Sequence, residues 1–595
     1  MVSTKVDKKV GSKIWPLAAV LFIAVILRLW KISEVPVSLF GDELDVGYQA
    51  HSILKTGRDY SGNFLPLHFQ SLAEWRTPLY IYSSVPTVAL FGISPLGVRL
   101  PAAIFGILGV WAIYLLSNEL VRKKFGILRR HRRWNLEFGI LPAFLLAVSP
   151  WHIQYSRAGF EATEVLAFLL FGLYFFFKAQ DLPRYFWVSI ALLTFTPWIY
   201  STAKLFTPFL FVFLFFMWRK EIVKFPKRDL VKALIAGIVV GLPIAFSTFL
   251  AGGTQRAGHL SIFTDPTTAN EIAVARELDA KARGNEGIGI NPQASDRFFH
   301  NKVFFWTGRV IKNYLQTVSS EFLFIEGDPN LRHSTKGVGQ FYYIEAVFLI
   351  LGIILFFSNA EKKIKLFIAF WLVFGILPAA VTRDGGNHAT RTIIVLPALI
   401  FLICLGWSKT LTFLKVKWSG KILIGALLGF WLLEFVFYQH TFWIHNPRDS
   451  ERWWHYGFGE AIQSIKEVEK SYDRIIISMA GEPAWIFFAG FYQYPPEVWQ
   501  KNAPLRNDVY LPGFGKISHI DKFYFGTFGS DGESIYDLPK YIDDRVLYLS
   551  LAKEIGANLV REPQRTPPNL KLINVITYPS GEPAFYLFSG TRVPD

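Results

Sequence analysis

Residues 233–250 read ALIAGIVVGLPIAFSTFL, eighteen consecutive positions without an ionisable side chain. About 20 apolar residues in a helix cross the hydrocarbon core of a bilayer. Residues 14–30 and 422–437 form similar blocks on either side of this one. Backbone groups surrounded by lipid must hydrogen-bond to one another, so blocks of this kind are read as helices. Composition agrees: only 18% of residues are charged while 52% are hydrophobic, against about 25% charged in soluble proteins. The expected class is therefore an α-helical polytopic membrane protein.

The net charge of +16 does not point to nucleic acid. The basic residues collect in short loops at 122–133, 178–184, 219–228, 362–365 and 409–421, where they orient a membrane protein and meet anionic lipid. A basic N-terminus joins them, and residues 14–30 are read as an uncleaved anchor because no small-residue cleavage site follows. With all these segments on the cytoplasmic side, eleven spans are expected: 14–32, 99–120, 136–150, 161–178, 186–203, 205–218, 231–250, 341–358, 366–381, 392–407 and 421–439. Residues 78–91 are apolar but short and contain Pro86, so they are read as an interfacial or re-entrant helix. The outer regions are then a first loop at 33–99, a long loop at 251–342, and a polar domain at 446–595. That domain mixes a helical stretch (459–471) with β-rich runs at 474–479, 545–550, 572–578 and 584–588, which predicts a small α/β domain. The expected division is a membrane module at 1–445 and an extracytoplasmic domain at 446–595. The single cysteine, Cys404, excludes an intrachain disulfide.

The first loop carries the densest chemistry. Asp42, Glu43 and Asp45 stand together just outside the first span, and Val46, Ala50, Ile53 and Leu54 follow at helical spacing. This pattern predicts a helix lying in the membrane interface with its apolar face down, ended by Gly57. Asp42 is read either as a helix cap, with Asp45 completing a box, or as a catalytic carboxylate. Arg76 is either an arginine snorkelling at the interface or a phosphate ligand. Arg28, near the outer end of the first span, is read as snorkelling to the surface, with a functional role at membrane depth as the alternative.

The order of these motifs resembles a known family. An Asp42-Glu43 pair after the first span, a helix ending in Gly57, Arg76-Thr77-Pro78-Leu79-Tyr80, Phe91-Gly92-Ile93-Ser94 and Arg99-Leu100-Pro101 look like the GT-C membrane glycosyltransferases. The similar branch is that of protein O-mannosyltransferases and aminoarabinose transferases. Ser149-Pro150-Trp151-His152, Tyr155-Ser156-Arg157, Tyr200-Ser201-Thr202-Ala203-Lys204, and Arg391 before Leu396-Pro397 extend the resemblance over roughly residues 10–440. It implies inverting transfer of a sugar, such as mannose or another hexose, from a polyprenyl- or dolichyl-phosphate carrier to an acceptor hydroxyl on a glycan, lipid or protein. Carried over residue by residue, Asp42 becomes the general base and Glu43 orients the acceptor or a neighbouring cation. Glu161 takes the place of a second acid, with an Arg157–Glu161 pair that merely anchors a helix end as the alternative. Arg76, Arg391, Arg332 and Arg383 become candidate ligands of the carrier phosphate. Asp45, Tyr155, Arg157, Tyr200, Lys204 and His333 are further site candidates.

The run from Phe322 to His333 either caps the carrier headgroup or is an ordered loop over the spans. No two outer histidines have local metal-ligand spacing, so metal-independent chemistry without a cofactor is expected, with a divalent metal as the alternative that the sequence does not support. The competing readings are a flippase or transporter of lipid-linked saccharides, a ligase of whole glycans, and a non-catalytic scaffold. The absence of two matching halves weighs against a transporter, and the acidic cluster sits in a loop that an aqueous acceptor can reach.

Overall fold

Helices stand at every one of the eleven positions where spans are expected, in a computed structural model that describes residues 4–72, 75–123, 134–250, 255–284, 292–414, 418–503, 508–529 and 532–591. They run Thr4–Leu29, Pro95–Arg122, Trp134–Val148, Ala162–Ala179, Phe186–Ile199, Ala203–Ile222, Lys227–Leu250, Tyr343–Asn359, Lys362–Ala380, Leu396–Leu414 and Trp418–His440. Among the described residues, six helices are long and apolar enough to cross a membrane unaided, and others are shorter apolar helices. The chain is a multi-pass membrane protein. Residues 124–133 and 415–417, within two of the expected basic loops, lie outside the described residues. The Leu79–Phe91 helix has 13 residues, about 20 Å at the usual rise and well short of a bilayer core of about 30 Å.

Two compact units emerge. One comprises Met1–Leu27, Phe105–Tyr155 and Glu161–Tyr438, and the other Arg28–Ile104, Ser156–Phe160 and Gln439–Asp595. This division differs from a cut at residue 446, because the loop at 33–99 shares a core with the C-terminal region.

In the first unit, the helices Tyr343–Asn359 and Leu396–Leu414 cross at two glycines. A Cβ on Gly352 would meet the Leu402 carbonyl oxygen at 1.9 Å, and one on Gly406 the Phe348 oxygen at 2.0 Å. Small residues of this kind let two membrane helices approach backbone to backbone. Phe348 and Trp407 stack beside the crossing, with ring centroids 3.8 Å apart. The long loop at 251–342 contains the helices Thr267–Ala282, Ala294–Phe299 and Lys302–Thr317. Asn301 caps the last of these by accepting from the Val303 and Phe304 amides. Asn313 then donates to the carbonyls of Ala380 and Thr382.

The second unit is built on a seven-stranded sheet. Its order is Asp508–Leu511, Gly515–Ile520, Phe523–Phe525, Arg474–Ile477, Val546–Leu551, Pro583–Gly590, Leu570–Thr577. Arg474–Ile477 lies parallel to both its neighbours, and the outer pairings are antiparallel. All four β-rich runs read from the sequence are strands. The strands at 508–525 and the helices Ala484–Tyr492 and Pro496–Asn502 were not expected. Alternation of side chains gives the sheet two buried faces: Ile475 and Ile477 join one core, Ile476 the other.

The first of those cores corrects the reading of the first loop. Val46, Ala50 and Ile53 of the helix Gly41–Thr56 are buried with Phe458, Ile462, Ile486 and Phe487 from the C-terminal region. Three of the four apolar positions are thus covered by protein rather than lipid, while Leu54 is exposed. Gly57 ends the helix as expected, in the left-handed region at φ 68°. Arg28 is also corrected. Its side chain is fully buried, so it does not snorkel to the surface.

Candidate functional site

In the second unit, the helix Gly41–Thr56 begins after Phe40, which occupies the cap position. Asp42 is therefore inside the first turn, and its carboxylate turns to Arg76, with Nη2 and Oδ1 2.6 Å apart. The Asp42–Asp45 capping box is not formed. Asp45 instead accepts from the Tyr60 hydroxyl at 3.0 Å and the Ser71 hydroxyl at 2.8 Å, with Arg76 Nε 3.3 Å away. Burial pushes Asp45 up to about 6, opposed by the Arg76 charge and the Ser71 hydrogen bond. Arg76 is placed by the two-residue ladder of Phe69–Gln70 with Trp75–Arg76 and by its own bond to Ser71. Its side chain is 6% exposed. It neither snorkels nor lies open to an incoming phosphate; it is the counter-ion of two carboxylates.

Glu43 and Arg99 form a second, fully buried pair. Arg99 donates to both Glu43 oxygens at 2.7 and 2.9 Å, and to the carbonyls of Ile32, Pro36 and Ser38. All five N–H donors of the guanidinium are thereby used. Glu43 Oε1 also accepts from the Gly159 amide at 2.7 Å. The carboxylate thus orients a neighbouring cation and has no free face for an acceptor. Gly159 is required here, because a Cβ would lie 2.8 Å from Val98 and 3.1 Å from the Glu43 side chain. Arg157 donates to the Val35 carbonyl at 2.8 Å and lies 4.5 Å over the Trp443 ring. Asp42, with its side chain 42% exposed, is thus the accessible member of a group whose other carboxylates are buried.

The first unit carries a different cluster. A turn-built loop closes on itself through Asp328, which accepts from the Asn330 amide, and through the Ser334 hydroxyl, which donates to the Asp328 carbonyl. Gly327 permits the turn at φ 74°. The other Asp328 oxygen accepts from the Ala389 amide at 2.8 Å, tying this loop to the segment that carries His388, Thr390 and Arg391. Thr390 Oγ1 bonds the Tyr155 hydroxyl at 2.7 Å and lies 3.2 Å from His333 Nδ1. His333 stacks on Tyr155 and sits 4.9 Å, ring to ring, from His388. Burial pushes Asp328 up to about 6, opposed first by the two amides and then by Arg391 and Arg332. Burial likewise raises Tyr155, assisted by Asp328, with Tyr200 nearby. Arg391 donates to Thr382 Oγ1, and the Arg332 carbonyl accepts from Gln154.

Of the remaining candidates, Arg383 is paired with Asp265 at 3.2 Å. Lys204 is half-buried in the first turn of Ala203–Ile222, and Glu161 is buried at the head of Ala162–Ala179. Arg157 and Glu161 fall in different units. Asp328 and His388 were not predicted as neighbours of His333, with which they form a group of three possible metal ligands. His333 and His388 lie far apart in sequence, so no local spacing signals them. Tyr60 and Ser71 were missed for the same reason.

No protein-family model and no curated protein matches this chain. Among solved structures, it is similar to the archaeal oligosaccharyltransferase AglB from Archaeoglobus fulgidus in complex with an inhibitory peptide and a dolichol-phosphate. That match has 14% identity and a TM-score of 0.44, covering 81% of this chain and 64% of that one. The same organism's oligosaccharyltransferase tethered to an acceptor peptide matches at 13% identity and a TM-score of 0.45, covering 80% and 63%. ArnT from Cupriavidus metallidurans bound to undecaprenyl phosphate matches at 11% identity and a TM-score of 0.46, covering 98% of both chains. The chain thus spans under two thirds of the length of the two oligosaccharyltransferase structures and nearly all of the ArnT structure.

Proposed function

We propose that this protein transfers a sugar from a polyprenyl- or dolichyl-phosphate carrier to an acceptor hydroxyl at the outer face of the plasma (inner) membrane. Asp42 serves as general base in an inverting displacement. The acceptor oxygen attacks the anomeric carbon, its proton passes to Asp42, and the bond to the carrier phosphate breaks. A positioned base of this kind contributes about 10²–10⁴-fold. The observation that carries the reading is the state of Asp42 itself: half-exposed and aimed by a buried arginine, while Glu43 and Asp45 are enclosed. The motif order around it, similar to that of the GT-C glycosyltransferases, supports the same assignment. Glu43 acts through Arg99 as a positioning residue. The leaving group is already a phosphate, so cations rather than an acid are needed to receive it. The resemblance offers Arg332 and Arg391 for that role, since Arg76 is held by carboxylates and Arg383 by Asp265. The acceptor is a glycan, a lipid or a protein.

The test uses purified protein and labelled polyprenyl-phosphate sugar with cell-envelope acceptors. Release of polyprenyl phosphate is expected, reduced by about 10²–10⁴-fold in Asp42→Asn with carrier binding retained. Undiminished turnover by that variant removes the base assignment, and movement of the carrier between leaflets without bond cleavage supports a flippase instead.

A further inference from the structure

Asp328, His333 and His388 of the first unit are given no role in the proposed transfer, and their donor set suits a metal ion. Asp328, His333 and His388 each offer one ligand atom, and these atoms lie within 4.8 Å of one another. Two imidazoles and one carboxylate are the donor set of catalytic-type zinc sites, which keep a position open for water or substrate. Imidazole suits zinc and its neighbours, whereas magnesium and calcium favour all-oxygen sets.

We infer that Asp328, His333 and His388 bind one divalent ion of the zinc class, which clips the 326–334 loop to the 388–392 segment. The surroundings are built as a metal site requires. Each Asp328 oxygen takes one backbone amide, from Asn330 or Ala389, and a carboxylate oxygen has a second lone pair left for an ion. His333 is oriented by Thr390, and Thr390 in turn by Tyr155. Outer partners of this kind fix the ring and tautomer of a ligating histidine. The segment bearing His388 is anchored separately, because the Trp151 indole donates to the Ala389 carbonyl at 3.1 Å. No other described Asp, Glu, His or Cys joins the group, so the fourth position falls to an oxygen from solvent or from an anion. The nearby charges of Arg332 and Arg391 favour an anionic oxygen such as that of a phosphate. The bland alternative is a plain His388–Asp328 ion pair at 3.8 Å, which binds no ion.

The experiment reads metal without turnover, so its outcome is separate from that of the Asp42 test. Full-length protein is stripped with chelator, reloaded with Zn²⁺ or Co²⁺, and freed of excess ion. A single equivalent per chain is expected by elemental analysis, with the visible absorption of a four-coordinate cobalt site. His333→Ala and His388→Ala should each lose both signals, and Asp42→Asn should keep them. Thr390→Val removes no ligand but should weaken affinity about 10–100-fold. Thermal unfolding of the stripped proteins checks that the variants fold, and added Zn²⁺ should raise Tm in the wild type and in Asp42→Asn but in neither histidine variant. A wild type that retains no ion and shows no Zn²⁺-dependent Tm shift overturns the site, as does equal metal content in the wild type and both histidine variants.

Discussion

Arg76 and Arg99 show how one residue type is used in two ways within the second unit. Arg99 is saturated and fully enclosed, so Glu43→Ala leaves a buried cation without its counter-ion. That change should cost about 3–5 kcal/mol, read by denaturant unfolding in detergent. Arg76 is shared between Asp42 and Asp45, and Asp45 titrates near 6 rather than 3.8 because burial disfavours its charge. Between those values the folded protein holds a proton that the unfolded chain has released. Stability should therefore fall as pH rises from about 4 to about 6, then level off, and Asp45→Asn should reduce that slope in unfolding measurements, leaving the share that Asp328 contributes in the same range. Once Asp45 is ionised it competes for Arg76. In an assay of carrier-phosphate release, the rate should accordingly rise through about pH 6 in the wild type and lose this inflection in Asp45→Asn.

At the scale of elements, hydropathy located each membrane helix because lipid imposes one solution on the backbone. It could not show which helices touch. The crossing of Tyr343–Asn359 with Leu396–Leu414 depends on Gly352 and Gly406, which stand 54 positions apart in the chain. Gly406→Val forces these backbones apart and should lower Tm in detergent, with an overpacking cost of about 1–3 kcal/mol or more. A small helix-surface change such as Gly425→Ala, where a Cβ meets nothing within 4 Å, should leave Tm unchanged. The helix Gly41–Thr56 teaches the opposite lesson. Its apolar spacing was read correctly as amphipathic, but an interface and a protein core demand the same periodicity. Its cover comes from Phe458, Ile462, Ile486 and Phe487, some 400 residues onward in the sequence.

Over the whole molecule, that shared core means the C-terminal region is no detachable appendage. A chain ending at Asn446 exposes Leu44, Val46 and Tyr48, which are fully buried in the intact protein. Such a truncation should leave the loop at 33–99 unfolded, seen as new protease cleavage within it. Protection of that loop in the shortened chain would argue against the shared core. Composition and block hydropathy by themselves determined the membrane class, the helical spans and the mixed α/β character of residues 446–595, because these follow from local chemistry meeting lipid or water. The acidic run at Asp42 was also legible, since its members are neighbours in the chain. Only the tertiary structure decided that Asp42 alone stays accessible, that Glu43 serves Arg99, and that Asp328, His333 and His388 converge. Each of these depends on burial and on partners brought from distant segments, and sequence spacing carries no record of either.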